Sequence, residues 1–183
     1  MPCAASNNRK QLAHDEEKAM LTGLKAMTAS FAIMACICVT ALAQDSSFST
    51  PGGQTVTLSS MRGNVVVLLF SGVQDPQRRE GLKALGSLAE RYQGKNVKVY
   101  WVSVNPTGEV TNDQLKSVSN SVPVLRDTNQ AAFKRFSGKN AQLPTIVVLD
   151  SQGNPFGQPR GGINPNSDFI NDLASIIDGL LQR

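Results

Sequence analysis

The chain has 183 residues, of which 40% are apolar and 17% are charged, and its formal net charge at pH 7 is +4. These values are typical of one globular domain with an additional segment, and the scattered basic residues predict no nucleic-acid partner. All three cysteines (Cys3, Cys36 and Cys38) and the single histidine, His14, precede residue 44. Beyond that point the sequence excludes a thiolate nucleophile, a Ser-His or Cys-His relay, and a zinc or copper site built from His and Cys.

An uncharged apolar segment, residues 26–43, ends in Ala41-Leu42-Ala43. This pattern is typical of a cleaved secretory signal. The sequence therefore predicts a leader and signal peptide over residues 1–43, a single domain over residues 44–183, and an exported protein in the periplasm or outside the cell.

Three alternatives for the N-terminal segment stay open. Met20 is a possible true start, because residues 1–19 mix charges of both signs and are long for the polar leader of a signal. An uncleaved apolar segment would be about long enough to anchor the chain in a membrane, and this is the one membrane contact that the sequence suggests. A lipid anchor at Cys36 is the third alternative.

The segment GGQTVTLSSMRGN predicts a short strand containing Val56 and Leu58, followed by a turn at Arg62-Gly63-Asn64. Six consecutive apolar residues, 65–70, come next. Such a run between turn residues predicts a strand buried on both faces, as in the middle of an α/β sheet.

Asp75-Pro76 predicts the start of a helix, because the carboxylate would cap free N–H groups and the proline lacks an N–H that would need a partner. Apolar residues then recur at helical spacing as far as Tyr92, and Gly94 ends the helix.

Residues 96–105 predict a second core strand, and residues 111–121 predict a helix. A strand–helix–strand crossover implies parallel pairing with a right-handed connection. Residues 123–127 follow as a short extended piece, and residues 129–136 as a short helix. Trp101 lies within the second strand and is predicted to be a core residue.

The segment LPTIVVLDSQGNPFG predicts an antiparallel hairpin, with a strand at residues 145–149, a turn at 151–154 and a returning strand at 155–157. RGGIN, residues 160–164, predicts a tight turn. A final amphipathic helix then begins behind an Asn166-Ser167 cap.

This order of elements resembles the thioredoxin fold, and in particular its exported TlpA-like and redoxin (AhpC/TSA-type) branch, over residues 48–181. Three features carry the resemblance: TVTLSSMRGNVVVLLF, the strand-to-helix loop, and LPTIVVLDSQGN. The resemblance implies an α/β chain with a central mixed sheet flanked by helices.

The Cys-x-x-Cys motif of this family would fall on Asp75-Pro76-Gln77-Arg78, so Asp75 and Arg78 replace the two cysteines. Two tryptophan positions of the family hold Ser71 and Gln74 instead. In active members the helix N-terminus stabilises a thiolate. A carboxylate is also an anion, but it does not exchange with disulfides.

The resemblance also implies that Pro144 is a cis-proline facing this loop, and that the backbone of the preceding Leu143 pairs with extended peptides. The leading hypothesis is a redox-inactive, exported thioredoxin-fold protein that binds a polypeptide partner, with no catalytic residue, cofactor or metal. The predicted binding residues are Gln74, Asp75, Gln77, Arg78, Leu143 and Pro144.

Two other functions stay open: a TlpA-like thiol-disulfide oxidoreductase or redoxin, which the family implies, and a structural or assembly subunit. Simpler roles for two of the residues also stay open. Asp75 could be a helix cap alone, and Arg78 could be a surface charge or an ion-pair partner of Asp75.

Overall fold

A computed structural model describes residues 45–105, 109–118, 122–138, 142–162 and 167–183. The predicted leader and signal peptide, residues 1–43, lie outside this part of the chain, as does Asn166. Within the described ranges, each helix is either too short or too polar to span a bilayer.

The described residues form one mixed sheet with α-helices around it. The strands are β1 (Ser47–Ser49), β2 (Thr55–Thr57), β3 (Val65–Ser71), β4 (Val97–Ser103), β5 (Val124–Arg126), β6 (Thr145–Leu149) and β7 (Arg160–Gly161). The helices are α1 (Arg78–Arg91), α2 (Asn112–Val118), α3 (Ala131–Ser137) and α4 (Ser167–Leu181), and a 3-10 turn spans Ser59–Met61. The predicted α/β class is confirmed.

The strand order in the sheet is β2-β1-β5-β4-β3-β6-β7. Strand β4 pairs in parallel with both β3 and β5, whereas the other pairs are antiparallel. The predicted parallel crossover and the predicted central mixed sheet are therefore confirmed.

Strand β3 lies at the centre of the fold, and all seven of its residues are buried. Alternate side chains enter two separate cores, as the period of a strand requires. Val65, Val67 and Leu69 pack with residues of α1 and α4. Val66, Leu68 and Phe70 pack with residues of β1 and α3 on the other face. The predicted burial on both faces is confirmed, and it fixes the position of the loop that follows Ser71.

Tyr92, just after α1, joins this helix to α4. Its hydroxyl lies 2.9 Å from both the carbonyl oxygen of Ala174 and Oδ1 of Asp178, so it donates to this pair of acceptors. Burial, reinforced by the hydrogen bond to Asp178, raises the pKa of Tyr92 to about 12. The phenol therefore stays protonated at neutral pH and keeps the two helices together on one face of the sheet.

The predicted turn after β6 is present and is organised by Asp150. Its Oδ1 accepts hydrogen bonds of 2.9 Å from the backbone N–H groups of Gln152 and Asn154. Burial alone would raise the pKa of Asp150, but these hydrogen bonds outweigh it and hold the pKa below its usual value. Gly153 has a positive φ of 86°, a conformation that glycine adopts without strain.

Two predictions about the chain beyond this turn are wrong. The returning segment makes one bridge, between Pro155 and Leu149, and the regular strand begins later, at Arg160. Residues Arg160–Gly161 were predicted to form a turn, yet they pair with Thr145 and Ile146 as strand β7. The physical reason is that β6 needs a partner on its outer edge, and this need overrides the local turn preference of glycine.

Other elements differ from their predicted bounds mostly at the ends. Strand β4 is shorter than the predicted 96–105, and the predicted helix 111–121 is Asn112–Val118, with residues 119–121 outside the described part. Helix α3 begins two residues later than predicted because Gln130 adopts a left-handed conformation with φ of 54°.

Candidate functional site

The loop between β3 and α1 consists of two successive turns. The carbonyl oxygen of Gly72 accepts the N–H of Asp75 at 3.3 Å, and that of Asp75 accepts the N–H of Arg78 at 3.2 Å. Oδ1 of Asp75 accepts the N–H of Gln77 at 2.9 Å. The carboxylate therefore holds the second turn together from within.

The prediction that Asp75 is the N-cap residue of α1 is wrong. The helix begins at Arg78, its N-cap is Gln77, and the Gln77 side chain makes no capping hydrogen bond. Asp75 stands three residues before the helix and satisfies an N–H group of the preceding turn instead. Its carboxylate therefore lies in the turn that leads into the helix and accepts the N–H of the N-cap residue.

Asn105, which follows β4, anchors the loop to the sheet. Its Oδ1 accepts the N–H of Val73 at 2.8 Å and the hydroxyl of Ser103 at 3.3 Å. Its Nδ2 donates to Oε2 of Glu109 at 3.4 Å. An exposed loop is therefore held by a side chain from the neighbouring strand end, which fixes the backbone position that leads into Asp75.

Opposite this loop, the segment before β6 completes a groove with a volume of about 780 Å³, here called the Pro144 groove. Its lining consists of Asp75, Pro76, Gln77, Ser137, Gly138, Gln142, Leu143, Pro144, Thr145, Gln158, Pro159, Gly161 and Gly162. The Leu143–Pro144 peptide bond is cis. The carbonyl oxygen of Pro144 accepts the N–H of Gly162 at 3.2 Å, which joins the two sides of this wall.

Leu143 stands out in the Pro144 groove because of its exposure. It is 40% exposed, and among the described residues no other large apolar side chain is classed as exposed. The Thr145 hydroxyl donates to the carbonyl oxygen of Gln142, which holds the backbone on both sides of the Leu143–Pro144 bond.

The structure divides the predicted binding residues between two places. Asp75, Gln77, Leu143 and Pro144 line the Pro144 groove. Gln74 and Arg78 instead line a smaller cleft of about 260 Å³, here called the α1 cleft. The full lining of the α1 cleft is Val73, Gln74, Asp75, Pro76, Arg78, Arg79 and Glu80, so Asp75 and Pro76 border both.

Arg78 does not form an ion pair with Asp75. Within the described ranges, the ion pairs are Arg91–Asp178, Lys116–Asp113 and Arg160–Asp172. Nε of Arg78 is buried and has no hydrogen-bond partner in this part of the chain. Its role as a local partner of Asp75, one of the simpler alternatives, is therefore wrong.

Several groove residues were not predicted from the sequence. Gln142 adjoins Leu143 in the chain, and that adjacency was an available signal. Ser137 and Gly138 at the end of α3, and Gln158-Pro159 before β7, enter the groove through tertiary packing. No local motif marks them, because their positions depend on where α3 ends and on the path of β7 along β6.

Ser71 and Trp101 form a buried pair beneath the loop. The indole Nε1 of Trp101 donates to Oγ of Ser71 at 2.9 Å, and both residues are almost completely buried. The predicted core position of Trp101 is confirmed. Ser71 occupies one of the positions where the family resemblance implies a tryptophan, so in this chain the polar partner of Trp101 takes that place.

Comparison with known proteins gives one family. The model of the AhpC/TSA family matches residues 39–154, which is more than half of the chain. A search of curated proteins gave no significant match.

Solved structures share the fold. A protein from Chlorobium tepidum assigned as the thiol:disulfide interchange protein DsbE has 21% identity and a TM-score of 0.63, with 76% of this chain and 94% of that chain covered. The exposed lipoprotein thioredoxin of Streptococcus pneumoniae has 18% identity and a TM-score of 0.61, with 74% and 99% covered. A protein from Neisseria meningitidis assigned as a thioredoxin has 23% identity and a TM-score of 0.61, with 76% and 89% covered. At these identities the likeness shows the fold alone.

Proposed function

The chain belongs to the AhpC/TSA family, and we propose that it acts there as a polypeptide-binding module rather than as a thiol enzyme. The exposed Leu143 on the wall of the Pro144 groove carries this proposal. A fixed backbone beside an open apolar side chain can pair with an extended segment, because main-chain hydrogen bonds supply affinity and side-chain contacts supply specificity.

The cysteine content supports binding over thiol chemistry. Residues 39–154, which match the family, contain no cysteine, and neither do residues 155–183. Thiol-disulfide exchange begins with attack by a thiolate, and neither Asp75 nor Arg78 can supply one. A redoxin activity would have to use Cys3, Cys36 or Cys38, all of which lie before the matched region.

We also propose that the protein is exported. The uncharged residues 26–43 and the Ala41-Leu42-Ala43 end support a cleaved signal. One of the structural relatives is named as an exposed lipoprotein, which agrees with this location. The expected mature N-terminus is Gln44, and intact-mass analysis of the secreted or periplasmic product measures it. A lipid adduct, or a full-length chain in the membrane fraction, would contradict cleavage at this position.

The binding function is tested with a labelled, reduced and carboxymethylated polypeptide, which stays unfolded and offers extended segments. We expect fluorescence anisotropy to detect binding to the parent chain. Leu143→Ser should weaken it about fivefold, because burying part of a leucine side chain contributes on the order of 1 kcal/mol. Leu143→Met, which keeps the apolar volume, should bind nearly as the parent does. Gln93→Ser, at an exposed position outside the groove, is the matched control.

The loop between β3 and α1, which forms the wall opposite Leu143, is tested through Asn105, the residue that anchors it. Asn105→Ala removes the acceptor for the N–H of Val73 and should weaken binding, whereas Glu109→Ala removes only the acceptor for Nδ2 of Asn105 and should leave binding unchanged. A variant with Cys3, Cys36 and Cys38 replaced by serine should bind as the parent does, and the parent should reduce insulin no faster than this cysteine-free variant. Insulin reduction by the parent above that background, or unfolded polypeptide that fails to bind the parent, would overturn the proposed function.

A further inference from the structure

The charge distribution in the Pro144 groove indicates the chemistry of its partner. Among the described lining residues, Asp75 is the only one with a charged side chain, and the others are glutamines, glycines, prolines, a serine, a threonine and Leu143. This single negative charge bears on which segments the groove selects, a question that rests on the proposed binding function and deepens it.

The Asp75 carboxylate has capacity for a ligand. Oδ1 accepts the N–H of Gln77 at 2.9 Å, whereas Oδ2 accepts no hydrogen bond within the described residues. Neither oxygen takes part in the ion pairs found in that part of the chain. A carboxylate has about four acceptor positions, so one internal N–H leaves room for a cationic donor.

The nearby arginines lie on the other side of the loop. Arg78 and Arg79 line the α1 cleft together with Asp75 and Glu80, so that cleft contains two basic and two acidic side chains. Neither arginine lines the Pro144 groove. An extended segment in the groove would therefore meet a negative side chain from the loop and an apolar one from Leu143.

We propose that the groove selects extended segments that carry a lysine or arginine together with an apolar side chain. The basic group pairs with the Asp75 carboxylate, and the apolar group packs on Leu143 and Pro144. An acidic residue opposite Asp75 is repelled, so the carboxylate discriminates against acidic segments as well as favouring basic ones.

The test uses acetylated and amidated Gly/Ser peptides, so that no terminal charge competes. Each peptide contains one leucine and one scanned position that is Lys, Gln or Glu. We expect the Lys peptide to bind most tightly, the Gln peptide less tightly and the Glu peptide most weakly. At the best position the affinity for Lys should exceed that for Gln about fivefold, which is the scale of a partly exposed ion pair. The gain should shrink at about 1 M salt, where the screening length falls to about 3 Å.

Two variants assign the effect to the carboxylate. Asp75→Asn should remove the preference for Lys and retain the loop, since the amide oxygen can still accept the N–H of Gln77. Asp113→Asn, an exposed acid on α2, should leave the preference unchanged. Binding of all three peptides with equal affinity, or a preference for Glu, would overturn this inference and leave the proposed function standing. If no peptide binds the parent, the proposed function itself fails.

Discussion

The double variant Asp75→Cys, Arg78→Cys is expected to form an intramolecular disulfide in mild oxidant, in a background with Cys3, Cys36 and Cys38 replaced by serine. The Arg78 N–H donates to the carbonyl oxygen of Asp75 at 3.2 Å, so these residues are the ends of a single turn. The Cα atoms at the ends of such a turn lie within about 7 Å, and disulfides span Cα separations of about 4.4 to 6.8 Å.

The reduced form of this variant should have one activated thiol. In the parent chain, the N–H of Gln77 donates to the side chain of Asp75, and α1 begins three residues further on, at Arg78. Both features favour an anion, so the thiol at position 75 should have a pKa below the free value of about 8.5. The double variant would convert a loop without a cysteine into one with two reactive thiols, and this is the largest functional effect that we predict.

The measurements are thiol counting after oxidation, non-reducing electrophoresis, and alkylation rate against pH. The single variants Asp75→Cys and Arg78→Cys are matched controls, because neither can form an intramolecular disulfide in this background. A folded double variant that gives only intermolecular dimers, or a thiol with an unshifted pKa, would show that Asp75 does not occupy the nucleophile position of the family. The correspondence between the loop and the family motif would then be withdrawn.

The central strands could be predicted because their signal is local. Strand β6 spans Thr145–Leu149 as predicted, and the predicted strand at residues 65–70 corresponds to β3, Val65–Ser71. Both are apolar runs bounded by turn residues, and a run of that kind between polar neighbours has few alternatives to a buried strand. The hairpin turn could also be predicted from a local signal, because Gly153 supplies the positive φ that the turn needs.

Two short strands, β1 and β7, could not be predicted because their stability comes from distant partners. Strand β1, Ser47–Ser49, was missed, and its sequence is two serines around Phe48. It exists because it pairs with β2 and β5, and because Phe48 is buried in the core on the α3 side of the sheet. Strand β7 follows the same rule. Local propensity is weak in such short segments, and tertiary pairing decides the outcome.

The site was predicted in part, through the resemblance rather than through local patterns. Asp75 and Leu143 lie 68 positions apart in the sequence, so only the thioredoxin-like order of elements predicts that they share a site. The separation of Arg78 from the groove could not be seen in advance. It follows from the second turn, which delays the start of α1 to Arg78 and turns that side chain toward the α1 cleft.

Replacing Trp101 with alanine should lower the free energy of unfolding by about 3–5 kcal/mol, because the truncation of a fully buried aromatic side chain leaves a cavity that the core fills only partly. Trp101 is 0% exposed and packs in the core shared by α1 and α4. Urea denaturation followed by far-UV circular dichroism measures the loss, since the variant lacks the single tryptophan of the chain. Tyr100→Ala, the half-buried neighbour on β4, is the matched control and should cost less.

The hydrogen bond of Trp101 gives this prediction a second, independent part. Ser71→Ala keeps the indole in place but leaves its buried N–H without the Oγ acceptor, so it should cost about 1–3 kcal/mol. Ser71→Trp, which restores the residue that the family resemblance implies, should also destabilise the chain, because position 71 is fully buried and a larger side chain overpacks it. If Ser71→Trp were neutral, the core beneath the loop would have room for the family's tryptophan. The difference from the family pattern would then be confined to the loop, whereas a destabilised variant would mean that the core of this chain differs from that pattern as well.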